Sequence, residues 1–381
     1  MSDKIVMRHV RVALQVIGLW PGYTSSVGFV IAITWLLTCL TFQLWHAAVV
    51  FSKLDALMGN LGATMAVATA TLKLIAFHVK GRNVKIVIKE ILNDWAYENR
   101  SSNCEVMVQN TKRAKYLTKW ITGAYNATVI TYLVNAIIAY CSGITEQRLY
   151  VLPSKFPSFC KQSPVFEIVC FFQFSAALIS TNVQVLVEGM LTVLVLHAGT
   201  KVFLLQKEIQ KLSVICQSKT NNKEVISKST IALINKHLNF IKFVKEVKDI
   251  YYFISFVHVF TFTFLHVIVG YMFIDTLERG DRSIKLFLYG LFTTRALAST
   301  TIYCIAGEYL MNQSMRIFDE LYNSAWYEFD VPNIKAITFM IMKARNATSL
   351  TPASFGQLSL FYLTSVIRTS FSILSLTRAT R

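Results

Sequence analysis

Seven long apolar runs constrain the fold of this chain more than any other feature of its sequence. Each is close to or above the length of about 20 residues that a helix needs to cross a bilayer. Because hydrocarbon offers no partner to backbone polar groups, such runs are stable in a membrane only as helices. The runs cover approximately residues 28–50, 57–79, 120–142, 164–197, 251–274, 285–307 and 357–379. They predict an all-α polytopic membrane protein with seven transmembrane helices, forming a single membrane domain over residues 1–381.

The distribution of basic residues predicts the orientation of these helices. The chain carries a net charge of +17, which in a soluble protein would indicate nucleic acid as a partner. Here nine lysines and arginines lie in residues 80–119 and ten in residues 201–248, whereas the three loops on the opposite side carry six together. Basic residues gather in cytoplasmic loops. We therefore expect a cytoplasmic N-terminus, an extracellular C-terminus, a lipid bilayer around the helices and no nucleic-acid partner.

Helical periodicity extends beyond the apolar runs. Residues 1–27 contain an amphipathic stretch in which apolar residues at helical spacing oppose Lys4 and Arg8, a pattern typical of a helix on the cytoplasmic surface of a membrane. The fourth run continues to about residue 212, and the cytoplasmic segments that flank the fifth and sixth runs also keep this periodicity. We expect the extensions, at approximately residues 198–250 and 308–350, to pack together as a cytoplasmic anchor.

The sequence lacks the common signatures of enzymes and of cofactor sites. The motifs GxSxG, HExxH, GxGxxG and the P-loop do not occur where they would matter, so we expect no enzymatic activity and no cofactor. The seven cysteines and seven histidines form no cluster with metal-ligand spacing, and we expect no metal. Cys141 and Cys160 flank the longest predicted extracellular loop, where either a disulfide or two free thiols is consistent with the sequence.

The last apolar run carries a narrow polar stripe. At 100° per residue, Ser365, Thr369, Ser372, Leu376 and Thr380 fall within about 80° of one another. Four copies of this stripe around a symmetry axis would line a water-filled path, in which hydroxyls replace part of the hydration shell of a cation and Leu376 forms an apolar constriction. Alternatively, the hydroxyls bond to carbonyls one turn earlier and permit close packing between helices.

Several short motifs are spread over nearly the whole chain. They are GLWP (Gly18 to Pro21), SPVFEIVCFFQ (Ser163 to Gln173), CIAGEYL (Cys304 to Leu310), the spaced Ser314, Tyr322 and Trp326, and LSLFYLTSVIRTSFSILSLTR (Leu358 to Arg378). In this order and spacing they resemble the insect odorant receptors, and the agreement over the whole length makes the resemblance specific. The related gustatory receptors, whose last helix ends in a TYxxxxxQF pattern that is absent here, are the first alternative. A G-protein-coupled receptor would require the opposite topology.

The resemblance implies an odorant-gated, nonselective cation channel. In this family the last helix lines the pore of a tetramer, usually formed with a shared coreceptor, in the plasma membrane of sensory neurons. Only about 38 residues separate Leu212 from Tyr251, too few for the longer insert of a coreceptor, so the chain resembles a tuning receptor. The family places its gate near the end of the last helix, which implies Leu376 and Thr380 as gate residues with Ile373 beside them.

The resemblance also implies where a small, volatile, apolar odorant binds. The family places the pocket in the outer half of the membrane, among spans two, three, four and six. An apolar pocket with a few hydroxyls or aromatic rings suits such a ligand. Depth along each helix, rather than any motif, selects the candidate contacts. They are Met65, Ala68 and Thr69, then Tyr132 and Ala136, then Ala177 and Thr181, and finally Tyr289 and Thr293.

Two arginines lie within predicted spans. Arg295 falls near the middle of the sixth, where an unpaired charge costs about 2.5–3.5 kcal/mol on insertion scales. It either bonds hydroxyls and carbonyls of neighbouring helices or meets a polar or acidic ligand. Arg368 falls on the last helix, where a ring of guanidinium groups would repel cations. We expect Arg368 to turn toward a subunit interface or the cytoplasmic vestibule.

Overall fold

Long helices make up the described part of the chain. A computed structural model describes residues 6, 8–52, 54–98, 104–141, 150–152, 154–217, 223–280, 284–352 and 356–379. These residues form helices and no strand, which confirms the predicted all-α class. The α-helices are α1 (Arg8–Val16), α2 (Val27–Val49), α3 (Leu54–Val79), α4 (Gly81–Glu98), α5 (Cys104–Cys141), α6 (Val165–Gln217), α7 (Lys223–Glu278), α8 (Ile284–Asn323), α9 (Val331–Ala344) and α10 (Leu360–Ala379). Short 3-10 turns occupy Ser158–Lys161 and Trp326–Glu328.

Two helices are far longer than a bilayer crossing requires. Helix α6 has 53 residues and α7 has 56. At 1.5 Å per residue each is about 80 Å long, more than twice the hydrocarbon thickness of about 30 Å. Each is therefore a continuous rod that can cross a membrane and project beyond it. The end of the bundle toward which they project also holds α4 and α9, and we call it the anchor end.

Five helices of the described residues, α2, α3, α5, α6 and α7, are long and apolar enough to cross a membrane. Helix α6 is central, because 83% of its most apolar stretch is buried, compared with 17% for α2 and for α5. The sixth predicted span falls in α8, whose buried face carries polar side chains such as Arg295 and Ser299. The seventh falls in α10, whose apolar stretch, Leu360–Leu376, is shorter.

The amphipathic helix α1 packs against the bundle. Its apolar residues Val10 and Leu14 are 2% and 0% exposed, and they belong to the main hydrophobic core. The apolar face predicted to lie on a membrane surface is therefore covered by protein. Burial of this face against the core removes apolar area from water, which stabilises the fold by roughly 25 cal/mol per Å².

An ion cluster joins α4 to α6 at the anchor end. Lys201 Nζ lies 2.8 Å from Glu90 Oε1 and 2.7 Å from Asp94 Oδ2. His197 Nε2 lies 2.9 Å from the same Asp94 oxygen. Burial opposes ionisation of Asp94, but the hydrogen bond with His197 and the charge of Lys201 outweigh it and hold the pKa of this carboxyl below its usual value. The ionised Asp94 thus holds α4, which the apolar runs did not predict, against α6.

Residues of the CIAGEYL stretch and those just after it position the start of α10. A Cβ at Gly307 would collide with the backbone carbonyl of Leu358, so glycine permits α8 to pass this close to the chain before α10. Glu308 Oε2 accepts a hydrogen bond from the Leu360 backbone N–H at 3.3 Å, where the first N–H groups of a helix lack internal partners. Ser314 Oγ accepts one from the Thr348 N–H at 2.7 Å. Helix α8 therefore sets where the last helix begins.

Candidate functional site

Two opposite charges are fully buried at the centre of the helix bundle. Lys73 of α3 and Glu188 of α6 are each 0% exposed, and Lys73 Nζ lies 3.3 Å from Glu188 Oε1. Both charges interrupt otherwise apolar stretches of their helices. A buried charge without a partner is strongly destabilising. Each of the two charges therefore depends on the other for its stability in the bundle.

The carboxylate of Glu188 is fully engaged by donors from three other helices. Tyr125 of α5 donates its hydroxyl to Oε2 at 2.6 Å. Ser299 of α8 donates to Oε1 at 2.7 Å, and Lys73 reaches the same oxygen. Each carboxylate oxygen therefore has at least one donor, as a buried anion requires.

The ammonium of Lys73 finds three acceptors. Besides Glu188, its Nζ lies 2.9 Å from Gln184 Oε1 and 3.0 Å from His258 Nδ1. An ammonium has only donors, so the contact requires the tautomer of His258 in which Nδ1 is the acceptor. His258 stacks on Tyr303 with ring centroids 4.0 Å apart, and Nζ also lies 5.1 Å from the centre of the Tyr303 ring. This polar cluster links α3, α5, α6, α7 and α8.

A cavity lies beside this cluster, between α3, α5, α6 and α8. Its empty volume is about 500 Å³, a figure that includes space open to the surroundings. Arg295 lines it and is 9% exposed, and the other lining residues are mainly small or apolar, among them Ala63, Val67 and Phe292. We call it the Arg295 cavity. Its composition, an apolar wall with a few polar groups, suits a small organic ligand.

The Arg295 cavity gathers some of the predicted odorant contacts. Tyr132, Ala177 and Thr181 line it. Met65 and Tyr289 pack with Tyr132 in an adjoining apolar cluster that includes Phe292. Residues from spans two, three, four and six therefore meet here, although they are distant in the sequence.

The remaining predicted odorant contacts lie elsewhere. Ala136 lines a separate groove beside Phe166 and Cys170. Thr69 is buried and donates its hydroxyl to the Met65 carbonyl of its own helix at 2.6 Å. Ala68 is half-buried on α3, and neither it nor Thr69 belongs to the lining of the Arg295 cavity.

Thr293 faces a different cavity, between α7, α8 and α10. This space has an empty volume of about 590 Å³ and is mostly apolar. Its lining includes His266 of α7 together with Val366 and Leu374 of α10. The Nε2 atom of His266 is buried without a hydrogen-bond partner among the described residues. A change in this cavity would act directly on the last helix.

Helix α10 packs on α7 and α8 through one face and leaves the other open. Val366, Ser370 and Leu374 are buried. The predicted pore residues that the structure describes are all exposed, namely Ser365, Thr369, Ser372, Ile373 and Leu376. Ser365 also donates its hydroxyl to the Phe361 carbonyl at 3.3 Å, so bonding to the helix backbone and exposure coexist. The described members of the polar stripe are therefore exposed, and Ser365 and Thr369 also line a groove against Phe256 of α7.

Two further residues of the last helix bear on an ion path. Arg368 is exposed, and at 100° per residue it points about 160° away from the buried Ser370. It thus lies on the side of α10 opposite to the packing face. Thr380, the other predicted gate residue, lies outside the described residues.

The described residues also bear on the predictions about cysteines and metal ions. Cys160 is a buried free thiol, whereas the side chain of Cys141 lies outside what the structure describes. Within the described ranges, no group of three or more His, Cys, Asp or Glu side chains could hold a metal ion.

Several residues at the centre of the bundle are absent from the sequence prediction. Lys73 and Glu188 are ionisable residues within apolar runs, a signal that marks functional candidates by default, so both could have been found. Thr128 and Ser180 line the Arg295 cavity and lie about one helical turn from Tyr132 and Ala177. Their relation to the cavity depends on helix rotation, which depth alone does not give.

Comparisons with known proteins agree with this architecture. A model of the 7tm odorant receptor family matches residues 53–371. Odorant receptor 10a of Drosophila melanogaster is 20% identical, over 97% of this chain and 94% of that protein. Odorant receptor 67c of the same species is 23% identical over 39% of this chain and 36% of that protein.

Solved structures resemble this chain over its full length. The insect olfactory receptor OR5 from Machilis hrabei, in complex with eugenol, has a TM-score of 0.78 at 13% identity, with 100% of both chains covered. The structure of the same receptor described without that ligand has a TM-score of 0.74 at 12% identity, with 98% of both chains covered. At such low sequence identity, this structural similarity shows a shared fold and nothing more.

Proposed function

Because the chain belongs to the 7tm odorant receptor family, we propose that the Arg295 cavity is its odorant site and that the exposed face of α10 lines the ion path. The chain is a multi-pass membrane receptor subunit of a family of ligand-gated channels, not an enzyme. The family match over residues 53–371 sets aside the gustatory and G-protein-coupled alternatives.

The observation that carries the odorant site is the convergence of four helices on one apolar space. Val67 comes from α3, Tyr132 from α5, and Ala177 and Thr181 from α6. Phe292 and Arg295 come from α8. Small side chains such as alanine leave room for a ligand, and a tyrosine ring and threonine hydroxyls offer contacts that orient it. The eugenol complex of the receptor from Machilis hrabei supports a small organic ligand for this fold.

Filling the Arg295 cavity is expected to weaken every odorant response. Ala177→Phe places a ring in space that the ligand would occupy, and lost apolar contacts worth about 1–3 kcal/mol of binding should raise half-maximal concentrations by about 5- to 150-fold. The measurement is the odorant-evoked current in cells that express this chain with a coreceptor, against a panel of alcohols, esters and acids. Ala127→Phe is the matched control, because Ala127 lies on α5 at an exposed position and should leave responses unchanged. Unchanged responses in Ala177→Phe would place the odorant site elsewhere.

We propose that the N-terminus is cytoplasmic and the C-terminus extracellular. The support is the excess of lysine and arginine in residues 80–119 and 201–248, both toward the anchor end. Epitope tags at each terminus test this directly. In unpermeabilised cells only the C-terminal tag should bind antibody, while permeabilisation should expose both. Surface labelling of the N-terminal tag alone would reverse the orientation and place the anchor end outside the cell.

We further propose that the chain is a tuning subunit of a heterotetramer with a coreceptor, in the plasma membrane of sensory neurons. The exposed face of α10 supports this assembly, since apolar Leu376 and the hydroxyl-bearing Thr369 and Ser372 are all exposed on it. Four such faces around one axis would enclose a path with polar sides and an apolar ring. Currents that need co-expression of a coreceptor would agree with this proposal, whereas full currents from this chain alone would contradict it.

A further inference from the structure

The guanidinium of Arg295 is a buried charge that lacks a hydrogen-bond acceptor among the described residues. The residue is 9% exposed, and its Cζ lies 4.2 Å from the centre of the Tyr125 ring and 5.6 Å from that of Phe292. The two rings stabilise the cation in part through their π faces. The N–H donors of the guanidinium nevertheless need acceptors in a buried setting, and an arginine forms paired hydrogen bonds with a carboxylate.

Glu188 is the buried carboxylate of the central polar cluster, and it already has other donors. Glu188 accepts hydrogen bonds from Lys73, Ser299 and Tyr125, so both of its oxygens have donors. The Tyr125 ring contacts Arg295 through its face while its hydroxyl donates to Glu188. The cluster and the cavity wall together hold the cationic side chains of Lys73 and Arg295 against the single carboxylate of Glu188. In the described part of the bundle, this composition leaves one positive charge in excess at the cavity.

The Arg295 cavity presents that excess charge to a mostly apolar space. Arg295 is the one charged residue among the described lining residues. The hydroxyl of Thr128 donates to the Ala124 carbonyl of its own helix at 3.0 Å, so this lining hydroxyl already has an acceptor. A ligand that matches this surface has an anionic oxygen pair at one end and a short apolar chain at the other.

We infer that the Arg295 cavity binds monocarboxylate odorants, with the carboxylate paired to the Arg295 guanidinium and the alkyl chain against Ala63, Val67 and Ala177. The inference rests on the proposed odorant role of this cavity and names the ligand class. Arg295 is thereby a specificity-determining residue, because the same chain capped as an ester or an alcohol loses the ionic partner and keeps only apolar contacts.

Three probes that share one alkyl chain test the inference: hexanoate, methyl hexanoate and hexanol. In cells that express the receptor with a coreceptor, hexanoate should evoke current at the lowest concentration. Arg295→Gln removes the charge and should raise the half-maximal concentration of hexanoate by about 10- to 150-fold, the range for hydrogen bonds to charged groups. The responses to methyl hexanoate and hexanol should move by less than about threefold, which also shows that the variant folds and opens.

Two other variants serve as controls: one keeps the positive charge at position 295, and the other makes the same arginine-to-glutamine substitution away from the cavity. Arg295→Lys keeps the cation without the planar fork and should retain part of the preference for hexanoate. Arg316→Gln makes the same substitution at an exposed position of α8 toward the anchor end, and it should leave all three responses unchanged. If only Arg295→Gln loses the response to hexanoate selectively, the loss is due to the charge at the cavity.

Other outcomes separate this inference from the proposed odorant site. Currents evoked by methyl hexanoate or hexanol but not by hexanoate, with loss of both in Ala177→Phe, would overturn the inference and keep the odorant site. An equal shift of all three probes in Arg295→Gln would assign Arg295 to folding alone and also overturn it. If none of the probes evokes current, thermal unfolding of the purified receptor decides: stabilisation by hexanoate, lost in Arg295→Gln, supports the inference, and no stabilisation by hexanoate rejects it.

Discussion

Glu188→Gln is expected to abolish most of the folded receptor at the cell surface. The substitution leaves Lys73 as a fully buried ammonium without its anion, and breaking a buried ion pair from one side costs about 3–5 kcal/mol. This loss is comparable to a large share of the stability of an ordinary domain. The measurements are surface labelling and the thermal unfolding midpoint of the detergent-solubilised protein. Both should fall strongly relative to the unmodified receptor.

A second substitution tests whether the charge, and not the shape, causes this loss. Lys73→Met combined with Glu188→Gln removes both charges and keeps similar volumes, so the double variant should recover most of the lost stability. Ser299→Ala, which removes one donor to Glu188 at 2.7 Å, should cost only about 1–3 kcal/mol. Glu188→Gln as stable as the unmodified receptor, or a double variant less stable than either single one, would contradict this account.

Leu376→Ser is expected to raise the current that flows without odorant by at least tenfold. If Leu376 of the assembled subunits forms an apolar ring on the ion path, that ring holds the closed channel dry, and a hydroxyl in its place lets water and ions enter. A tenfold change corresponds to about 1.4 kcal/mol in the closed-to-open equilibrium. The measurement is the holding current before odorant, normalised to the maximal odorant-evoked current in the same cells.

Leu360→Ser is the matched control for this experiment. Leu360 and Leu376 are 47% and 66% exposed on the same helix, and at 100° per residue they point about 160° apart. The same substitution at Leu360 should therefore leave the holding current near its original value. Equal effects of both substitutions would mean that the exposed face of α10 has no preferred side toward the ion path, and an unchanged holding current in Leu376→Ser would exclude that residue as the constriction.

Parts of the candidate sites could be predicted from the sequence. The polar stripe of the last helix follows from helical periodicity alone, and the structure leaves its described members exposed while Val366 and Leu374 are buried. Depth along each span also placed Tyr132, Ala177 and Thr181 near one another, and they share the Arg295 cavity. Thr293 was chosen at a similar depth, yet it faces the cavity beside α10. Depth does not specify rotation about the helix axis, and rotation decides which neighbour a side chain meets.

The sequence by itself determined the all-α membrane class and the family, because apolar length and spaced motifs are properties of the chain alone. Only the tertiary structure decided that Lys73 and Glu188 neutralise each other while Arg295 stays without an acceptor among the described residues. These residues come from α3, α6 and α8, and the contacts between them depend on helix offsets of a few ångströms. Lys73 lies 3.3 Å from Glu188 and Arg295 lies 4.2 Å from the Tyr125 ring, so the charge left over at the cavity is a property of packing.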